Sequence, residues 1–92
     1  MEITFDPAKR ERTLAERALD FAEAAEVFAG VTVTIPDLRK DYGEDRFISV
    51  GMLRGRMVVI GWTAREGTCR VFSMRKANER EQERYGQRLA EG

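Results

Sequence analysis

The chain has 92 residues, 42% hydrophobic and 35% charged, with 16 basic and 16 acidic side chains that cancel to a formal charge of zero. That length suits one domain, expected over residues 1–92, with a modest core beneath a heavily charged surface. There is no histidine and one cysteine, Cys69, which excludes an internal disulfide, a paired-cysteine zinc site and histidine-based catalysis, so no metal or cofactor is expected. No apolar run nears the roughly 20 residues that span a bilayer. No signal-peptide pattern opens the chain either, so no membrane contact and a cytoplasmic location are expected.

Met1–Phe5 reads as a short opening strand. Asp6-Pro7 is a helix start, with Asp6 as N-cap and Pro7 at the first helical position, where a missing N–H costs nothing. Lys9 to Arg17 is helix-forming, with Leu14 and Ala18 as the inward stripe. Asp20 and Glu23 have capping-box spacing. Phe21, Ala24, Ala25 and Phe28 then follow at the spacing of one helix face. Gly30 is placed to end that helix in the left-handed conformation.

The pattern next turns to strands. Val31–Ile35 is a β-branched run closed by Pro36 and the polar loop Asp37–Asp45, whose acidic residues are expected to be solvated. Arg46–Leu53 and Arg56–Thr63 are joined at Arg54-Gly55, a two-residue hairpin connection. Glu66-Gly67 makes the next turn, and Thr68–Met74 is the last strand. The unbroken apolar run Met57–Ile60 marks a covered central strand. Arg75–Ala90 is helical by propensity, with a thin apolar stripe of Ala77, Tyr85 and Leu89 and a basic ridge of Arg80, Arg84 and Arg88. The fold class expected is α+β: a short N-terminal strand, two helices, an antiparallel sheet of three to four strands, and a C-terminal helix.

Charge is unevenly spread. Residues 1–30 carry a net charge of −3 and residues 65–92 carry +2. Most of the cations are arginine, the side chain best shaped to clamp a phosphate. Cys69 lies in a strand and reads as a small buried hydrophobe. No glycine-rich phosphate loop opens a helix.

The chemistry-bearing groups gather in the last third, where Arg65, Arg70, Arg75, Lys76, Glu79, Arg84 and Tyr85 lie. Such a set suits RNA cleavage, in which a base takes the 2′-OH proton, a cation stabilises the phosphorane and an acid protonates the leaving oxygen. Arginine cannot be the base, because its pKa exceeds about 12. Lys76 would need its usual pKa of about 10.4 lowered. Glu79, read as one helical turn from Arg75 and Lys76, is the alternative base, and Tyr85 the candidate for stacking or proton donation.

These residues fall in a familiar order. FDPAK at Phe5–Lys9, FAEAAEVF at Phe21–Phe28, IPD at Ile35–Asp37 and DYGEDRFISVG at Asp41–Gly51 come first. The stretch Gly55–Arg65 ending in TAR, then RVFSMRKANERE at Arg70–Glu81, with Tyr85 behind it, complete the set. In this order the chain resembles the BrnT-type toxins, which have a compact RelE-like fold. The resemblance implies an mRNA-cleaving, metal-independent toxin of a type II toxin–antitoxin system. It also implies a ribbon-helix-helix antitoxin of the BrnA type, with operator DNA contacted only through the antitoxin complex. The resemblance puts the family's functional arginines at Arg65 and Arg75, with Arg46 and Arg70 as further candidates. The reading of the residues themselves adds Lys76, Glu79 and Tyr85 to the catalytic set, and Arg84 beside Arg46 and Arg70 for binding RNA phosphate. Where the family carries an Asn, a Lys-His pair and a Gly along the first helix, this chain has Thr13, Glu16, Arg17 and Ala18. Those differences raise a second reading, a catalytically inactive module that binds the antitoxin and takes part in operon repression. An exposed strand edge would also offer a route to a homodimer.

Overall fold

A computed structural model describes residues 2–92; Met1, at the start of the expected opening strand, lies outside the described residues. Strand β1 (Ile3–Thr4) leads into helix α1 (Pro7–Arg17), a 3₁₀ turn (Phe21–Glu23) and helix α2 (Ala24–Phe28). Strands β2 (Thr32–Pro36), β3 (Arg46–Leu53), β4 (Arg56–Arg65) and β5 (Thr68–Lys76) follow, and helix α3 (Glu79–Glu91) comes last. The class is α+β, as the residue pattern implies. The sheet has five strands in the order β1-β5-β4-β3-β2. The count exceeds three to four because β1 joins the antiparallel meander, pairing parallel to β5 through Ile3–Cys69 and Thr4–Arg70.

Local signals set most of the boundaries. The Asp6 side chain accepts from the Ala8 N–H and Asp20 from the Ala22 N–H, so both expected caps form. Asp20 initiates a 3₁₀ turn before α2 rather than one continuous helix. Both hairpin turns have positive φ at their two central residues, Arg54 and Gly55 at 50° and 81°, Glu66 and Gly67 at 53° and 77°. Type I′ turns require that geometry, and it matches the twist of the flanking strands. Gly30, by contrast, is not left-handed: α2 ends at Ala29 in the right-handed region. The left-handed cap is Ala18, at φ 58°, whose N–H bonds to the Leu14 carbonyl.

Two apolar layers cover the two sheet faces. On one, Leu19, Phe21, Ala24 and Val27 pack on Leu53, Val58, Ile60, Cys69, Val71 and Met74. On the other, Ala77 and Tyr85, with Leu89 beside them, pack on Val33, Val50 and Val59. Each large aliphatic side chain so buried contributes about 1.5–3 kcal/mol. Cys69 is fully buried in the first layer, and burial pushes its thiol pKa up to about 11.

Helix α1 sits apart from both layers. The expected inward stripe does not form: Leu14 is 44% exposed and Ala18 is exposed. Polar links hold the helix instead. Arg10 clamps Asp20 through two hydrogen bonds of 2.7 and 2.9 Å, and Arg17 donates to the Met74 carbonyl at 3.0 Å, fastening α1 alongside β5. Among the described residues no helix is long and apolar enough to cross a membrane.

Candidate functional site

The site is built on a shift in strand register. Opposite residues in a sheet share a face, and alternate residues along a strand change face. Between β4 and β5 the pairs run Ile60–Met74, Gly61–Ser73, then Trp62–Val71, leaving Phe72 as an extra residue in a bulge. Without it Arg70 and Arg75, five apart, would point to opposite faces. With it they share one. The same register places Arg46 opposite Thr63, Thr63 opposite Arg70, and Arg75 opposite Val59. Arg46, Arg65, Arg70 and Arg75 therefore project from three adjacent strands on a single face.

Gly61 leaves room for the bulge. A Cβ there would stand 2.8 Å from the Phe72 ring and 2.5 Å from Ser73 Oγ. The Phe72 ring supports the Arg46 guanidinium, whose carbon is 4.3 Å from that ring centroid and 4.2 Å from that of Tyr42. Such cation–aromatic stacking holds a guanidinium plane in a fixed attitude.

Carboxylates fix the remaining arginines. Glu44 accepts from Arg46 Nε at 3.0 Å and from Arg65 Nη2 at 2.9 Å. The Arg65 hydrogen bond, then that of Arg46, holds its carboxyl below the usual range. Glu81 takes Arg75 in a two-pronged pair, both bonds 2.8 Å, and also accepts the Asn78 N–H at 2.9 Å. Chiefly through Arg75 its pKa falls to about 2. Arg70 forms no ion pair among the described residues.

In the acidic loop Asp41 and Asp45 are exposed as expected, while Asp37 departs from the expected solvated state. Asp37 is buried, bonded twice to Arg39 at 2.8 Å, and accepts from the Tyr42 hydroxyl at 3.4 Å. Arg39 lowers its pKa to about 2. A buried carboxylate is tolerable only with such a partner. Here it also ties Tyr42 against Arg46.

The structure divides the other sequence-derived residues. Arg75 and Lys76 belong to β5 and not to the last helix, because Asn78 and Glu81 form a capping box that starts α3 after Ala77. Lys76 pairs with Val58 in register and so faces away from Arg75. Glu79 is exposed on the first turn of α3, and the carboxylate that meets Arg75 is Glu81. Tyr85 is a core residue, 8% exposed. With Arg75, Arg84, Ile35 and Ile48 it lines a groove of about 290 Å³ between α3 and the sheet.

Sequence reasoning overlooked Tyr42, Glu44, Phe72 and Glu81. Two signals were there to find. The apolar spacing Cys69, Val71, Met74 breaks the period of two and so marks a bulge. Asn78-x-x-Glu81 is itself capping-box spacing.

The family model for the ribonuclease toxin BrnT of type II toxin–antitoxin systems matches residues 5–81. The chain belongs to the BrnT family. A search of curated proteins finds no match. The BrnT match takes in all four arginines of the sheet face with Glu44, Phe72 and Glu81, and ends before Arg84 and Tyr85. As a BrnT toxin of a type II system, the protein has an antitoxin for a partner.

Proposed function

We propose that the protein is an endoribonuclease that cuts mRNA by attack of a 2′-hydroxyl on the adjacent phosphate, on the sheet face bearing Arg46, Arg65, Arg70 and Arg75. The observation that carries this reading is the bulge at Phe72, which turns Arg70 and Arg75 to the same side as Arg46 and Arg65. Four guanidiniums on one surface supply positive charge against the negative charge that the phosphorane develops, so the reaction needs no metal in this scheme. Arg70, which has no carboxylate partner among the described residues, meets the phosphate first. As the phosphate draws Arg46 and Arg65 to itself, Glu44 loses the contacts that depress its pKa and becomes the base for the 2′-OH. It fills the role that the sequence suggested for Lys76 or Glu79. The leaving 5′-oxygen takes its proton from solvent, and Tyr85 supports the sheet from the core.

Purified protein incubated with mRNA, beside Arg65→Ala, Arg75→Ala and Glu44→Gln, tests the proposal. Losing one such charge-stabilising donor lowers turnover by about 10²–10³-fold. Equal cleavage by all four folded proteins, or none by any, overturns the reading.

A second reading has one observation in its favour: Glu44 and Glu81 already neutralise three of the four arginines in the free protein. A catalytically inactive module that binds its antitoxin and serves operon repression would keep such pairs closed. Expression without the antitoxin separates the two, since the catalytic reading requires growth arrest. The antitoxin we assign, from the resemblance, is a ribbon-helix-helix protein that carries the complex to operator DNA. Strand β2, at the sheet edge, is the surface on which a homodimer would form, and sedimentation measures it.

A further inference from the structure

One face of α1 presents Lys9, Arg12, Thr13, Glu16 and Arg17 at helical spacing, towards the part of β5 that holds the bulge. Together with Phe72 and Ser73 these side chains line a cleft of about 240 Å³. The cleft adjoins the arginine face through Phe72, whose ring also carries Arg46. Its volume is below the roughly 300 Å³ at which pockets for drug-sized ligands begin, so it suits a single nucleobase better than a dinucleotide.

The charges lining this cleft are, like Arg70 on the adjoining face, free of ion pairs among the described residues. Arg10, Arg39, Arg46, Arg54, Arg65 and Arg75 are each paired with a carboxylate, whereas Lys9, Arg12 and Glu16 enter no ion pair among the described residues. Arg17 is spent on the Met74 carbonyl, which fixes the helix against the strand and keeps the cleft open at a set width. An aromatic ring, two hydroxyls, two uncommitted cations and one uncommitted carboxylate thus converge on one small recess.

We propose that the cleft between α1 and the β5 bulge is a guanine-nucleotide subsite of the RNA-binding face, with Glu16 as its specificity-determining residue. This inference rests on the reading that the arginine face binds RNA. The Watson–Crick edge of guanine offers two adjacent donors, N1–H and N2–H, which match the two oxygens of a carboxylate. Adenine and cytosine offer one amino donor beside an acceptor, and uracil one N–H between two carbonyls, so each would set an acceptor against Glu16. Phe72 gives the base a stacking surface, which tolerates any base and leaves discrimination to Glu16. Lys9 and Arg12 hold the phosphate of the same nucleotide.

The test begins with binding, which does not depend on catalysis. Amide chemical shifts of the intact chain are followed while GMP, inosine monophosphate, AMP, CMP or UMP is added. GMP is expected to bind tighter than AMP, CMP and UMP by about tenfold, the scale of one good two-pronged base contact. Its shifts should centre on Thr13, Glu16, Phe72 and Ser73, and inosine monophosphate, which lacks the N2 amine, should fall between. Glu16→Gln should erase the preference, and Phe72→Leu should weaken all five nucleotides alike. Equal affinity for the five, shifts centred elsewhere, or a preference that survives Glu16→Gln overturns the proposal.

Cut sites mapped on one mRNA then separate this inference from the catalytic reading. Cuts clustered beside guanine, and redistributed by Glu16→Gln, support it. Cuts without base bias overturn it and leave the ribonuclease intact. Selective GMP binding at the cleft with no cleavage supports the subsite and overturns the ribonuclease.

Discussion

Gly61→Ala is the most direct probe of how this sheet face is assembled. The new methyl would lie 2.5 Å from Ser73 Oγ and 2.8 and 3.1 Å from two atoms of the Phe72 ring. The serine hydroxyl can rotate away, but the ring cannot move without leaving the Arg46 guanidinium stacked on it. Overpacking a filled site costs about 1–3 kcal/mol. Replacing glycine returns about 0.4–1 kcal/mol by restricting the unfolded chain. The difference of the two ranges centres on a net loss of about 1.3 kcal/mol, which at about 4–8 °C per kcal/mol lowers Tm by about 5–10 °C in a domain of this size. Thermal unfolding followed by circular dichroism measures it. The mechanism is checked by a double-mutant cycle with Phe72→Ala, which removes the ring that the methyl strikes. The double variant should then be more stable than the summed single effects predict, by about 1 kcal/mol. A Gly61→Ala protein as stable as the parent would refute the steric argument, as would a cycle additive within about 0.5 kcal/mol.

Three further outcomes follow from individual residues. Ala18→Gly should stabilise the protein by about 0.5–1 kcal/mol, because a left-handed alanine is strained where glycine is not; denaturant unfolding would show a higher midpoint. Glu81 and Asp37 have folded pKa values of about 2 against ordinary values of 4.5 and 3.8. Their pairs therefore stabilise the fold fully above the ordinary carboxylate range and lose that contribution as pH falls towards 2. Urea unfolding at stepped pH should show stability falling across that window, with a shallower fall for Glu81→Gln. Cys69, fully buried with its thiol pushed up to about 11, should resist alkylation at pH 8 in the native protein and react once urea unfolds it; ready labelling of the folded chain would contradict its place in the core.

Local chemistry was written plainly in the chain. Asp6 and Asp20 cap because a short side-chain oxygen beside a nascent helix has free N–H groups within reach, and the bounds of β3 follow from the turns around it. Both two-residue turns were legible because glycine supplies positive φ cheaply at their second position, while Arg54 and Glu66 are drawn into the same conformation by the hairpin. The resemblance in order of motifs was likewise present before any fold. What escaped was whatever depends on a partner strand or a distant side chain. Arg75 and Lys76 have helical propensity, yet pairing with Val59 and Val58 draws them into β5, since a ladder of hydrogen bonds outweighs a few tenths of a kcal/mol of propensity. Leu14 reads as core by period, but no apolar surface reaches it. The alignment of Arg46, Arg65, Arg70 and Arg75 is the clearest case. It depends on one residue, Phe72, being left unpaired, and that shift of register exists only when β4 and β5 are side by side. Composition and periodicity thus specified the elements and the kinds of charge; tertiary pairing alone decided which of those charges share a face.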